Sequence, residues 1–316
     1  MPVEPAMVAA APLQPSLQTL SSGSHAHALI LDLGRRIRRL EPEVLADNDP
    51  EALHQLRVSL RRLRTVLVQF APALVLPRRL RRSRVAAIAQ STGRTRDLDV
   101  LQQRFVASLQ PLLPGEEQHE LRPFLRHLAR ARRRSFRELR HGLRSGRSRR
   151  LLASLADWNA SPRYTTLGRQ PLLPWLHEWH LAAAGRLFLH PGWFSADPRD
   201  PELHDLRKRI KEVRYGIDHL QPVLPAGTAA WIDTLKQAQG ILGDLHDLEV
   251  MHELLRQSLD DRAIHQIVPT LSGLLAHDRD NLWQRWQLLA ARLLQETWRR
   301  ALLDLDPEAA VPALPI

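Results

Sequence analysis

Leu53, Leu56, Leu60, Leu63 and Leu67 recur at alternating steps of three and four, the spacing that lines one face of a helix. The same rhythm returns in Leu203, Leu206, Ile210, Val213 and Ile217. Leucine-rich stretches of this kind predict helices near 25–41, 50–71, 77–109, 117–145 and 149–159 in the first half. In the second half they fall near 174–190, 201–221, 227–259 and 262–304, the last one broken. Prolines cluster between them, as at Pro72/Pro77, Pro111/Pro114 and Pro222/Pro225, where a residue without an N–H ends helices and starts turns. β-branched runs are nearly absent, so the fold class is all-α, and the short loops favour antiparallel helical bundles. Residues 1–24, rich in Ala, Pro and Ser, read as a disordered tail, and 305–316 as a C-terminal tail.

Self-similarity organises the rest. "DPEALHQLRVSLRRLRTVL" from Asp49 resembles "DPELHDLRKRIKEVRYGI" from Asp200, and aligning His54 with His204 sets an offset of 150. The same offset pairs Arg57 with Arg207, Arg61 with Lys211 and Arg64 with Arg214. It also aligns "GRTRDLDVL" from Gly93 with "GDLHDLEVM" from Gly243, matching Asp97 to Asp247 and Asp99 to Glu249. Two motifs sharing one offset point to a tandem duplication, with a first helical repeat over 25–165 and a second over 174–304. The boundary falls in the stretch from Ser161 to Pro174, and the two copies are expected to pack together.

One position after each of the first four core residues lies a polar stripe: His54, Arg57, Arg61 and Arg64, repeated as His204, Arg207, Lys211 and Arg214. At about 100° per residue these sit on the shoulder of the buried face. The outer face is not kept, since Arg62 becomes Glu212. A merely solvated face has no reason to hold one sign on one stripe twice, and like charges at this spacing repel one another by a few tenths of a kcal/mol per pair. Two suppliers of negative charge remain open. Asp97, Asp99, Asp247 and Glu249 can pair with the stripes internally, or the ligand itself is a polyanion.

Charge sharpens the second option. The formal net charge is +11, and between Arg35 and Arg150 the chain holds 28 arginines against 11 acidic residues. Arginine's planar fork suits bidentate phosphate binding, although a G+C-rich genome also raises Arg over Lys without functional reason. With no cysteine, disulfides and thiolate metal sites are excluded. No apolar run reaches membrane-spanning length and the start lacks a secretory pattern, so a cytoplasmic soluble protein is expected. Fifteen histidines show no metal-ligand spacing, and His25/His27 lie beside the expected tail, so neither metal nor cofactor is expected. Phosphate-loop, serine-elbow and dinucleotide fingerprints are missing. Trp175, Trp179, Trp283, Trp286 and Trp298 read as packing rather than a base-stacking platform.

The pattern His-x-x-Arg-x-x-x-Arg-Arg-x-Arg, met by His54, Arg57, Arg61, Arg62 and Arg64, resembles the signature of the CHAD family. The second copy and the downstream "RDLDV" and "HDLEV" blocks resemble it too, so the likeness covers roughly residues 25–304. It implies two four-helix-type bundles related by a pseudo-two-fold, with the basic helices lining a central groove or pore. It further implies binding of inorganic polyphosphate and, for some members, targeting to polyphosphate granules. Arg96 and Lys208 join the candidate phosphate ligands on this basis. The Glu-x-Glu-x-Lys strand of the triphosphate-tunnel domains fused to some members is absent, so a non-catalytic binding module is expected rather than an enzyme. Two alternatives stay open: a nucleic-acid binder using the same basic surface, or an accessory module in phosphoanhydride metabolism.

Overall fold

The computed structural model describes residues 19–225, 227–259 and 261–304. Among the described residues thirteen α-helices follow one another: α1 (Ser22–Ala46), α2 (Pro50–Gln69), α3 (Arg82–Ser91), α4 (Gly93–Arg104), α5 (Gly115–Glu120), α6 (Arg122–Leu143) and α7 (Gly146–Ala160), then α8 (Leu176–Ala184), α9 (Pro201–Leu220), α10 (Thr228–Arg256), α11 (Asp261–Ile267), α12 (Pro269–Leu293) and α13 (Glu296–Asp304). Among the described residues there is no strand, only two isolated bridges, Ser21 with Pro171 and Leu74 with Tyr164. None of the described helices is long and apolar enough to cross a membrane.

The two signature helices begin alike. Asp49 caps α2 by accepting from the Glu51 N–H at 2.8 Å, and Asp200 caps α9 through the Glu202 N–H at 2.9 Å. A proline follows each cap at the first helical position, where its missing N–H costs nothing. Both leucine-type stripes are buried, from Leu53 to Leu67 in α2 and from Leu203 to Ile217 in α9.

The elements depart from the sequence reading in several places; the helix expected over 117–145 is α5 and α6, parted at Leu121, and the one expected over 174–190 ends at Ala184. Residues 22–24, read as part of the tail, are helical, because the Ser21 hydroxyl caps α1 by accepting from the Ser24 N–H at 3.2 Å. His25 is consequently buried and bonds the His219 carbonyl at 2.7 Å, while residues 1–18 and 305–316 lie outside the described residues. The helix expected over 77–109 is broken. A single 3₁₀ turn at Arg78–Leu80 leads into α3, and α4 ends in a π turn at Phe105–Leu109. Between α3 and α4, Ser91 and Thr92 bond back to the Ile88 and Ala89 carbonyls at 2.8 and 2.6 Å, an arrangement that bends helices.

Two apolar cores result. One gathers α1, α2, α3, the end of α6 (Leu139, Leu143) and α7, and takes in Leu172, Trp179, Leu220 and Val223. The other gathers Leu98 and Leu101 of α4, Phe105, Leu121, and Phe124 and Leu128 at the start of α6 with α9, α10, α12 and α13. Helix α6 thus serves both cores. α5 supplies another tie, since Glu117 accepts the Thr270 and Leu271 N–H groups at 2.9 and 3.1 Å, capping α12 from across the chain. Trp179, Trp286 and Trp298 are core residues, whereas Trp175 is exposed.

Candidate functional site

Helices α2 and α9 lie against each other through buried polar contacts. Gln69 donates to the Gly216 carbonyl at 3.0 Å, and its oxygen lies 3.3 Å from Nδ1 of His219. The packing brings the two polar stripes face to face. Burial is the main force on Arg57, lowering its pKa to about 10, and the charges of Arg61, Arg96 and Arg207 add to the depression while Asp97 opposes it. Arg207 is lowered in the same way by burial and by Arg61, against Asp247, Asp97 and Asp244. Lys211 is only 8 % exposed. Burial first, and then Arg207, Arg61 and Arg57, bring it down to about 6.

Two glycines let these side chains lie on their neighbours. A Cβ at Gly243 of α10 would stand 2.7 Å from the Arg207 guanidinium, and one at Gly93 of α4 would stand 3.1 Å from that of Arg57. Neither glycine has a positive φ, so the requirement is space and not backbone conformation. Arg57 also reaches Asp97 at 3.6 Å and the Thr92 hydroxyl at 3.4 Å. Sequence reasoning did not single out the glycines, although their shared offset of 150 sits in plain view within the aligned blocks.

Histidines border the cluster. His54 is lowered by burial and then by Arg96, with Arg57 and Arg61 adding to the effect. The rings of His204 and His246 are 4.1 Å apart. Burial and that neighbour bring His204 down to about 4, and His246 is lowered by burial and by Arg207. Nδ1 of His204 and Nε of Arg207 are buried without a protein hydrogen-bond partner. The carboxylates that belong here are Asp97 and Asp247. The latter is held above the usual carboxylate range by burial, against the pull of Arg207. A cleft of about 330 Å³ between α4 and α10, lined in part by Gly93, Arg94, Asp97 and Val250, opens beside them.

The remaining candidates are placed elsewhere. Arg62 pairs with Asp218 of α9 and Arg64 with Glu212 at 2.8 Å, so both tie α2 to α9. Arg214 bonds Gln239 at 3.2 Å and lies 4.4 Å over the Tyr215 ring. Lys208 is exposed and paired with Asp205 at 2.7 Å. Asp99 is bound by Arg132 at 2.8 Å, and that arginine also forks onto Asp47. Glu249 faces Arg199 at 4.0 Å on the surface. Positions i and i+2 diverge on a helix, which is why Asp99 and Glu249 leave the site that Asp97 and Asp247 enter. Among the described residues no group of three or more His, Asp or Glu is arranged to hold a metal ion.

What is left at the centre is Arg57, Arg61, Arg96, Arg207 and Lys211 with Asp97 and Asp247 and the nearby charge of Asp244, a concentration of positive charge that attracts anions. Guanidinium forks on two helices match phosphate oxygens in geometry as well as sign.

The CHAD domain profile matches residues 28–256. Two solved structures are similar across most of their lengths. The crystal structure of the CHAD domain from the plant Ricinus communis has a TM-score of 0.59 at 22% identity, covering 93% of this chain and 95% of that one. PptA from Streptomyces chartreusis has a TM-score of 0.66 at 17% identity, covering 85% and 99% respectively. At such identities the likeness concerns the fold. Among curated proteins, none matches the sequence.

Proposed function

The chain belongs to the CHAD domain family, and on that premise we propose that it binds inorganic polyphosphate without turning it over. The site is the cluster of Arg57, Arg61, Arg96, Arg207 and Lys211, bordered by His54, His204 and His246. One observation carries the reading: cations from α2 and α9 meet closely enough to depress one another. Such an arrangement is unfavourable in the free protein, and a chain of phosphates would offset it. We read α2 with α4 and α9 with α10 as the equivalent halves of a duplicated unit around a basic groove. The glycines against Arg57 and Arg207 support this. Association with polyphosphate granules would follow from the same binding.

Titration against long-chain polyphosphate at two salt concentrations is the test. Affinity should fall steeply with salt, because each neutralised phosphate releases counterions. Reversal of Arg57, Arg61, Arg207 and Lys211 to Glu should abolish binding, and unchanged binding would sink the assignment. Duplex DNA or RNA that displaces polyphosphate at equal phosphate concentration would turn the reading towards nucleic acid. Release of phosphate from the polymer would show an enzyme.

A further inference from the structure

The central cluster uses few of the arginines. Arg122, Arg126, Arg130, Arg133, Arg137 and Arg140 of α6, with Arg144 just beyond its end, are all exposed. Their steps of four, four, three, four, three and four place them in one row, on the side opposite Phe124, Leu128, Ser135, Leu139 and Leu143, which are buried. At ~1.5 Å per residue the row is roughly 33 Å long. Among the described residues none of the seven makes an ion pair. The only acid on α6, Glu138, meets Arg134 at 3.4 Å, and Arg132 is taken by Asp47 and Asp99; neither arginine belongs to the row.

Arginine-rich composition does not account for this. Helix α12, of comparable length and in the same chain, mixes Asp278, Arg279, Asp280, Arg285 and Arg292. Neighbouring like charges repel along the whole row of α6, and no ion pair among the described residues relieves them. The row is also not a bare ridge. A cleft of about 530 Å³ lined by Arg130, Arg133 and Arg137 with Phe136 and the paired Asp47 and Arg132 flanks it, and another of about 570 Å³ is lined by Arg122 and Arg126 with His119 and Glu120. No large apolar side chain is exposed on α6 among the described residues, so the face offers charge and nothing to insert into lipid. A flexible polyanion can follow a line of this length.

We propose that the arginine row of α6 is a second phosphate-binding track, engaged by the part of a long polyphosphate chain that extends beyond the central cluster. The proposal rests on the reading of that cluster as the polyphosphate site. The two places are joined through α4: Asp99 bonds Arg132 of α6, and Arg96, whose charge acts on Asp99, acts on His54 and Arg57 as well. The consequence is selection by length. Tripolyphosphate fills only the centre, and a long chain gains the row.

The experiment compares tripolyphosphate with long-chain polyphosphate on the wild type and on R126Q/R130Q/R133Q/R137Q. Glutamine keeps helix propensity and relieves repulsion, so the fold should be retained, and equal thermal melting checks that. The wild type should bind the long chain at least tenfold more tightly per phosphate. The variant should keep its tripolyphosphate affinity and lose most of that advantage. Its salt slope should drop by roughly three, at ~0.7 per charge on a flexible polyanion. Lysine at the same four positions should restore long-chain binding, which a purely structural effect would not do. Unchanged long-chain affinity and slope would refute the track alone. A variant that loses duplex DNA but keeps long-chain polyphosphate would assign the row to nucleic acid and refute it too. A wild type that binds neither polyphosphate would remove the central reading together with the track.

Discussion

Lys211 should gain a proton when polyphosphate binds. Burial, then Arg207, Arg61 and Arg57, bring its amine from 10.5 to about 6, and only Asp247 opposes them. The groups facing it are Arg57 and Arg61 from α2, Asp247 and His246 from α10, and Arg207 from its own helix. At pH 7.5 roughly 3 % of the free protein then carries the ammonium, from the distance between pH and pKa. Beside a phosphate chain the charged form is favoured, so the pKa rises and binding takes up nearly one proton. With respect to this group affinity is highest below about pH 6, and weakens by up to about tenfold, or ~1.4 kcal/mol, per pH unit above it. Between pH 7 and 9 the loss approaches about a hundredfold. His54, His204 and His246, also held below their usual value, strengthen binding further on the acid side. Calorimetry in two buffers of different ionisation enthalpy counts the protons directly. Lys211→Met should abolish the uptake at pH 7.5 and flatten the profile above pH 7. The reasoning fails if the wild type takes up no proton, or if the variant takes up as many. The free protein carries the opposite sign. Between about 6 and 10.5 the unfolded chain holds a proton that the folded one lacks, so stability should rise with pH there, and Lys211→Met should lose that slope.

Other substitutions separate binding from folding. Gly243→Ala gains about 1 kcal/mol of helix propensity while pushing a methyl into the Arg207 guanidinium, so thermal melting should hold and polyphosphate affinity should drop about tenfold, or ~1.4 kcal/mol. Arg62→Ala releases Asp218 and should lower stability by about 1 kcal/mol in urea unfolding, with affinity changed by less than about threefold, or ~0.7 kcal/mol. Glu117→Ala strips two N–H groups at the start of α12 of their acceptor and should cost about 2 kcal/mol, read in the same way, without touching the tripolyphosphate affinity.

The helices were legible because their leucine periodicity and Asp-Pro starts are local signals, and α2 and α9 fall within a residue or two of where the pattern puts them. Helix α1 begins earlier than expected because Ser21 and Ser24, which look like tail residues, form a cap. The stripe spacing singled out His54, Arg57, Arg61, Arg207 and Lys211, and the structure brings these side chains together. It could not see that Arg64, on the same stripe, would end up opposite Glu212, since that depends on how α2 crosses α9. His246 and the two glycines escaped for the same reason. Their role is to face a helix forty residues away, and only Gly93 and Gly243 left a trace, through the repeat.

The sharing of α6 between two cores also bears on how the chain is made. Leu98, Leu101, Phe105, Leu121, Phe124 and Leu128 leave the ribosome early, yet they pack with residues as late as Leu293 and Leu302. At about 5–20 residues per second the wait is on the order of ten seconds or more. Throughout it an apolar face has no partner, beside the most positively charged of the described helices. A fragment ending near residue 165 would keep that face open permanently, and should aggregate on expression where the whole chain does not.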